Sequence, residues 1–222
     1  NFFQQKIYVN EAPDTIAPIV TNATMRFSGG VLVVRATEFI DSTPVSRINL
    51  SKIILVDNTG DGNVPMTGAT VASKDDYTIE IDMSESQRVA ALRISSATGG
   101  DGTQLKLDVL PGAFKDVAGN DNVGAYGFLV NEIEDIIRPT IDKVSLNYSD
   151  GKVVISASET IDGTPSAHVD LSLMWLARET TFEVTYNSTS GEHNYSYTGN
   201  PNRVSLVGAN VTSKDETSVT IH

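Results

Sequence analysis

The stretch ATEFIDSTP, residues 36–44, returns 121 positions later as ASETIDGTP, residues 157–165. The same offset aligns DTIAPIV, which starts at Asp14, with DIIRPTI, which starts at Asp135, and no gap separates the two matches. Self-similarity at a fixed offset is the sequence signature of a repeated structural unit. The 222 residues therefore predict two copies of one module, each long enough to bury a core of its own.

A second match shows where the two copies differ in length. GATVASKD, which starts at Gly68, aligns with GANVTSKD, which starts at Gly208, at an offset of 140. The change of offset from 121 to 140 places 19 additional residues in the second copy. We expect this insertion at about residues 173–203.

The segments inside each copy have the composition of β-strands. GVLVVRATE (30–38) and KVVISASET (152–160) are rich in β-branched residues, and YTIEIDM (77–83) alternates apolar and polar positions. SESQRVAALRI, residues 84–94, is the one stretch that reads as a helix, with a serine cap and a short apolar face of Val89, Leu92 and Ile94. The pattern predicts an all-β protein of two tandem Ig-like β-sandwich domains.

The beginning of the chain matches the end of the first copy. At the 121-residue offset Val9 aligns with Val130, and Asn10-Glu11 aligns with Asn131-Glu132. We therefore expect residues 1–13 to be a strand and linker, 14–134 to be domain 1, and 135–222 to be domain 2. The second copy contains no match to residues 82–131, so we expect it to be incomplete.

An incomplete sandwich exposes its core and its sheet edges, which favours pairing with another chain. Alternation places Phe3, Ile7 and Val9 on one face of the leading strand, and we predict them as anchors of a donor strand. This strand is expected to complete domain 2 of another copy, a strand-addition mode of assembly. The alternative is that the chain is a stretch of a longer repeat array and never polymerises.

Composition excludes several classes of function. The net charge of −12 argues against nucleic acid as a partner, since phosphates require clusters of lysine and arginine. The absence of cysteine excludes disulfides and thiolate zinc sites. Since no apolar run approaches the roughly 18 residues of a membrane helix, we expect no membrane span. The start at Asn1 suits a mature chain whose leader has been removed.

Two stretches carry a resemblance to a known family. FKDVAGN, residues 114–120, and SETIDGTP, residues 158–165, resemble the Ig-like repeats of bacterial and archaeal surface-layer proteins, adhesins and secreted array proteins. The resemblance implies an extracellular module at the cell surface with an adhesive or scaffolding role. The donor-strand arrangement resembles that of pilus and related fibril subunits, but it departs from chaperone–usher pilins, which have one domain and usually a disulfide.

The sequence predicts no catalytic residues. Its three histidines are scattered, and no nucleophile elbow or phosphate loop is present. Carboxylate pairs recur at the same place in both copies, Glu38 with Asp41 and Glu159 with Asp162, which points to a turn that each module requires. We therefore expect a structural subunit of an extracellular, pilus-like fibril, with other copies of itself as partners. The alternative function is a fragment of a surface adhesin or surface-layer array that binds ligands through its loops.

Calcium is the expected cofactor if there is one. DNTGDGN, which starts at Asp57, places Asp57 and Asp61 as in the opening of an EF-hand loop, but Gly68 stands where the bidentate glutamate belongs. A second candidate site is the junction between the copies, with Glu132, Glu134 and Asp135. Solvated acidic turns are the alternative at both places.

Asn-X-Ser/Thr sequons make N-linked glycans a further expectation. The candidate asparagines are Asn22, Asn49, Asn147, Asn187, Asn194 and Asn210. Asn187 and Asn194 lie in the insertion, within a stretch that we predict to be a polar loop with little to obstruct modification. The alternative is that all six are ordinary turn asparagines.

Overall fold

The structure is a computed structural model with two compact units. It describes residues 8–57, 62–71, 74–177, 181–187, 192–198, 203–212 and 214–222, and for 181–187 and 192–198 it describes the backbone alone. Unit 1 comprises Asn1–Ile137 and unit 2 comprises Arg138–His222. The described helix is too short to cross a membrane.

The described residues of unit 1 form nine strands and one α-helix. In chain order they are β1 (Val20–Arg26), β2 (Val31–Ile40), β3 (Ile53–Val56), β4 (Asn63–Pro65), β5 (Thr70–Val71), β6 (Asp76–Asp82), α1 (Glu85–Arg93), β7 (Lys106–Val109), β8 (Ala125–Leu129) and β9 (Asn131–Ile133). One sheet has the order β5-β6-β2-β1-β9 and the other has the order β4-β3-β7-β8. The β-strand class that the sequence predicts is confirmed.

The core of unit 1 lies between these two sheets. Alternate residues of each strand point inward, because successive side chains of a strand face opposite sides. The five-stranded sheet contributes Met25, Leu32 and Ile79, and the four-stranded sheet contributes Leu55 and Leu107, all fully buried. The remaining large and fully buried side chains are Phe27, Ile40, Ile53, Met66, Ile81, Leu105 and Phe114.

Helix α1 begins where the sequence predicts it. The Ser84 side chain accepts a hydrogen bond from the Gln87 N–H, and Gln87 Oε1 accepts one from the Ser84 N–H, which together form a capping box. The predicted apolar face is only partly correct. The helix buries Arg88 and Ala91 most deeply, because the guanidinium of Arg88 has acidic partners that permit its burial.

The described residues of unit 2 form seven strands. In chain order they are β10 (Ile141–Asn147), β11 (Lys152–Ile161), β12 (Trp175–Ala177), β13 (Thr181–Asn187), β14 (Glu192–Thr198), β15 (Arg203–Ser205) and β16 (Glu216–Ile221). They form a sheet of order β10-β11-β16 and the two-stranded sheets β12-β15 and β13-β14. The buried centre of the unit is small and consists of Val153, Ile155, Val219 and Ile221.

The offsets of 121 and 140 residues also relate the strand registers of the two units. Val20 pairs with Ala36 in unit 1, Ile141 pairs with Ala157 in unit 2, and an irregularity in the ladder follows both pairs. Likewise, residue 32 pairs with residue 81, and residue 153 pairs with residue 221. The repeated sequence therefore encodes the same strand pairing in each unit.

The insertion in unit 2 differs from the predicted polar loop. It contains the antiparallel hairpin β13-β14, in which Phe182 pairs with Tyr197 and Val184 pairs with Tyr195. β-branched and aromatic residues alternate with polar ones along both strands, a pattern that favours extended structure. The predicted loop was wrong because this alternation extends over the seven residues of each strand, which is enough to form a hairpin.

Candidate strand-acceptor site

In unit 1 the outer edge of β1 is covered by β9. Residues 24–26 of β1 pair in parallel with residues 131–133 of β9. Val130, which directly precedes β9, is fully buried. We call residues 83–133, which contain α1, β7, β8 and β9, the closing segment, because they complete both sheets of unit 1.

Polar contacts hold the end of the closing segment in place. Glu132 Oε2 accepts hydrogen bonds from the Ser96 N–H and hydroxyl, both at 2.9 Å, and Oε1 accepts one from the Leu105 N–H at 2.6 Å. The Val130 N–H donates to the Leu105 carbonyl at 3.0 Å. These bonds fix the last strand against other parts of the same segment.

The side chain of Arg88 links α1 to the residues that follow β1 and β9. Its Nη2 lies 2.7 Å from Glu85 Oε1, and its Nη1 lies 2.7 Å from Asp135 Oδ2 and donates to the Phe27 carbonyl at 3.4 Å. The Arg88 side chain is 8% exposed. Charged groups that are this deeply buried require partners. Glu85 lies within α1 itself, and the bonds to Asp135 and to the Phe27 carbonyl tie the helix to the ends of β9 and β1.

The corresponding edge in unit 2 is open in the described part of the chain. There β10 pairs with β11, and no described strand lies along its other edge. The inward positions of β10 and the turn after it are Val144, Leu146 and Tyr148, which correspond to Ala23, Met25 and Phe27 at the 121-residue offset.

The side chains at these matched positions are far more exposed in unit 2 than in unit 1. Val144 is 52% exposed and Tyr148 is 90% exposed, whereas Ala23 and Phe27 are 2% and 0% exposed. Ile141 is 66% exposed, and its counterpart Val20 is 5% exposed. We call the outer edge of β10 together with Val144, Leu146 and Tyr148 the acceptor edge. Its apolar side chains match core positions of unit 1, but Val144 and Tyr148 are exposed to solvent.

The second sheet of unit 2 has an open edge of its own. In unit 1, β3 lies between β4 and β7, whereas in the described residues of unit 2 its counterpart β12 pairs with β15 alone. Val204 is 63% exposed, although the matching Val64 is 5% exposed. On this sheet the Arg203 guanidinium lies 4.8 Å from the centre of the Trp175 ring. Unit 2 therefore has one open edge for each of the sheets that the closing segment completes in unit 1.

The predicted donor strand lies mostly outside the described residues. Phe3 and Ile7 belong to that part, so the structure places neither of them. Val9 is described and is 77% exposed, whereas its counterpart Val130 is fully buried. Val9, the predicted anchor that the structure describes, is therefore solvent-exposed.

Comparisons with known proteins give no family for this chain. No family model matches it, and no curated protein matches it. Among solved structures it is similar to the N-terminal part of the bacterial S-layer protein SbsC, with a TM-score of 0.36 and 12% identity over 85% of this chain and 43% of that one. It is also similar to the S-layer protein rSbsC(31-844), with a TM-score of 0.36 and 13% identity over 80% of this chain and 22% of that one. The chain thus spans less than half of either structure.

An acidic cluster that the sequence did not predict lies in unit 1. Asp14, Glu38 and Asp116 each place a carboxylate oxygen within 4.8 Å of the others. In the described residues they are the one group of His, Cys, Asp and Glu side chains close enough to share a metal ion. The signal that could have revealed them is that Asp14 and Glu38 lie in the two repeated stretches and Asp116 lies in FKDVAGN.

The pKa values of two members of the cluster shift in opposite directions. Burial, followed by repulsion from Asp14 and Asp116, raises the pKa of Glu38 above its ordinary value. Burial acts in the same direction on Asp116, but hydrogen bonds from the Asn120 side chain and N–H, both at 2.8 Å, outweigh it and lower the pKa of Asp116. The hydrogen bonds within the FKDVAGN turn thus favour the ionised form of Asp116, and its negative charge disfavours ionisation of the neighbouring Glu38.

The carboxylates predicted for calcium do not come together in this way. Glu134 Oε1 accepts a hydrogen bond from the Thr98 hydroxyl at 3.4 Å, while Glu132 and Asp135 have the separate partners described above. Asp57 is buried, and Asp61 lies outside the described residues. Calcium binding at these positions stays a prediction.

The sequon asparagines that the structure describes with side chains are all exposed. They are Asn22, Asn49, Asn147 and Asn210. Asn49 and Asn147 have local roles, since their Oδ1 atoms accept hydrogen bonds from the Ser51 and Ser149 N–H groups at 3.2 Å and 3.0 Å. Asn187 ends β13 and Asn194 lies within β14, opposite Thr185. Glycosylation at all six stays a prediction.

Proposed function

We propose that this protein is a non-catalytic structural subunit of an extracellular, pilus-like fibril, in which the N-terminal strand of one copy completes unit 2 of the next. The observation that carries the proposal is the acceptor edge. Positions that are buried beneath the closing segment in unit 1 are solvent-exposed in unit 2. An exposed row of backbone groups beside apolar side chains is the usual receptor of strand addition.

The sequence of the N-terminal strand supports it as the donor. Val9, Asn10 and Glu11 are identical to Val130, Asn131 and Glu132, which occupy the matching edge in unit 1. A segment of the same sequence already fits an edge of the same register. The donor is therefore chemically matched to the acceptor.

A structural role also accounts for the recurring carboxylates. Asp41 forms an ion pair with Arg47, and Asp162 Oδ2 lies 2.7 Å from Nδ1 of His168, which is the counterpart of Arg47. Both pairs bridge the same turn, at residues 41–47 and 162–168. Calcium at an acidic turn and glycans on the exposed sequons are further parts of the proposal, as is the absence of a nucleic-acid partner from a chain of net charge −12.

A second candidate function is a module of a surface-layer or adhesin array in which closure comes from the same polypeptide. The observation that favours it is the open edge of β12. In unit 1 that edge is covered by β7, and residues 1–11 match only the end of the closing segment, beyond β7. A continuous segment like residues 83–133 would close both sheets at once.

Deletion of residues 1–12 tests the two candidates. In a fibril subunit the deletion should abolish assembly in electron micrographs and light scattering, while the melting temperature of unit 1 stays unchanged because Val130 and β9 remain. In an array module the particle size should not respond to the deletion. Assembly that continues at the wild-type critical concentration would refute strand donation.

A fusion provides the matching gain of function. His222 aligns with Asp82 at the 140-residue offset, so a second copy of residues 83–134 placed after His222 should fill both open edges of unit 2. We expect the fusion to raise the melting temperature of unit 2 under either candidate and to block fibril growth under the first. No stabilisation of unit 2 would refute the acceptor site itself.

A further inference from the structure

The two halves of the last strand in unit 1 pair with different sheets. β8 pairs with β7 in the four-stranded sheet, and β9 pairs with β1 in the five-stranded sheet. Val130 lies between the two halves and points into the core. The matching halves of the N-terminal strand are therefore residues 4–8 and residues 10–12.

In the described residues of unit 2, a matching partner strand is present for the second half. β10 is the counterpart of β1, and its ladder with β11 has the same register and the same irregularity as in unit 1. A counterpart of β7 is not found among the described residues of unit 2. Among the described residues of unit 2, a donated strand therefore finds no neighbour for a half like β8, whereas β10 is available to a half like β9.

From this we infer that residues 10–12 of a second copy pair in parallel with residues 145–147 of β10, with Val9 as the anchor over Leu146. The inference rests on the proposed function and assigns its register, orientation and main anchor. In unit 1 residue 24 pairs with residue 131 and residue 26 with residue 133. Transferred by 121 residues, these pairs become Ser145 with Asn10 and Asn147 with Ala12.

The geometry of unit 1 indicates how such copies would be arranged. Asn120 Nδ2 donates to the carbonyls of Asp14 and Ile16 at 3.3 Å, which fixes the entry of the chain. Four residues of extended chain span about 13 Å, so Asn10 stays near that entry. Because β9 runs parallel to β1, the chain leaves unit 1 at the other end of β1 from where it enters. The donated strand and the acceptor edge are different parts of the chain, so the contact is heterologous and grows as an open fibre when it does not close into a ring.

Cysteine cross-linking tests the register directly, because the native chain contains no cysteine. Two single-cysteine variants of the full chain, Asn10→Cys and Ser145→Cys, are mixed and oxidised mildly, so that a mixed disulfide can form only between molecules. Asn147→Cys is the control on the same strand. It lies two residues along β10, where the distance to residue 10 exceeds the roughly 7 Å limit for a disulfide. Ala177→Cys, exposed on β12, reports on the other open edge.

We expect the mixed dimer with Ser145→Cys to form at least fivefold faster than with either control. Preferential linkage to Ala177→Cys, or equal rates for all three partners, would overturn the inferred register. An internal disulfide in the double variant Asn10→Cys/Ser145→Cys, without mixed dimers, would assign the strand to its own molecule and also overturn the inference. If light scattering shows assembly without the 10–145 link, the inference fails and strand donation stands; if no assembly occurs, both fail.

Discussion

The same substitution at two equivalent positions should separate folding from assembly. Val130→Ala removes two methyl groups from a fully buried site, which at about 0.8 kcal/mol each, plus a small cavity term, lowers the unfolding free energy by about 2 kcal/mol. For a unit of this length the melting temperature should fall by about 5–7 °C. Val9→Ala changes a side chain that is 77% exposed and should leave the melting temperature of the isolated chain within about 1 °C.

In assembly the two variants should behave differently. If Val9 becomes buried as Val130 is, losing about 1.6–2 kcal/mol of contact raises the critical concentration for fibril growth by about 15- to 30-fold. Scanning calorimetry measures the first effect, and sedimentation of assembled material across a protein dilution series measures the second. Tyr8→Ala is the matched control, since its counterpart Leu129 is 56% exposed, and it should shift the critical concentration less than about threefold. An unchanged critical concentration for Val9→Ala would refute the burial of Val9 in the contact.

Three further predictions concern the charged groups. The raised pKa of Glu38 means that the folded state binds its proton more tightly, so stability is lost as pH rises from the ordinary glutamate range through the raised pKa. The variant Glu38→Gln should therefore melt at a higher temperature than wild type at pH 7, with no advantage below about pH 4. A lower melting temperature at pH 7 would contradict this. Arg88→Ala should lower the unfolding free energy of unit 1 by about 2–4 kcal/mol, as measured by calorimetry. This is below the range for a fully buried pair because Glu85 is one-third exposed. A loss under about 1 kcal/mol would show that the ion pairs are dispensable. His168→Arg reproduces the pair found in unit 1 at an exposed site, so the melting temperature of unit 2 at pH 8 should change by no more than about 2 °C, and a larger shift would show that the turn depends on the imidazole.

The repeat and its strands could be predicted because their signals are local or self-referential. The segment GVLVVRATE is rich in β-branched residues and forms most of β2, and Ser84 followed by Gln87 marks the start of α1 by the capping chemistry that the structure shows. The offsets then carry this assignment from one copy to the other. No contact between distant residues was needed for these predictions.

The acidic cluster and the pairing of β9 could not be predicted from the sequence because both join residues that are far apart in the chain. Glu38 and Asp116 are 78 positions apart, and only the folded sheets bring their carboxylates together. The parallel pairing of residues 131–133 with residues 24–26 is equally non-local. The burial of Arg88 depends on this pairing, since its partner Asp135 follows β9. Periodicity assigns a strand but does not name its neighbour.

The size of the acceptor edge sets what the donated strand must contribute. Burial of Val9 alone supplies about 1.5–3 kcal/mol, below the 4–15 kcal/mol that association costs in lost translational and rotational freedom. A stable contact therefore requires the acceptor's own exposed side chains to become buried as well, Tyr148 and Val144 above all, together with residues of the donor that precede Val9. A closing segment on the same polypeptide avoids most of that cost, because its effective concentration at the edge is in the millimolar range or above. The two candidate functions thus differ less in the contact itself than in the entropic cost of bringing the strand to it. That cost is high when the strand comes from another copy and low when it belongs to the same polypeptide. Closure of unit 2 therefore depends on protein concentration in the first case, and this dependence distinguishes the two.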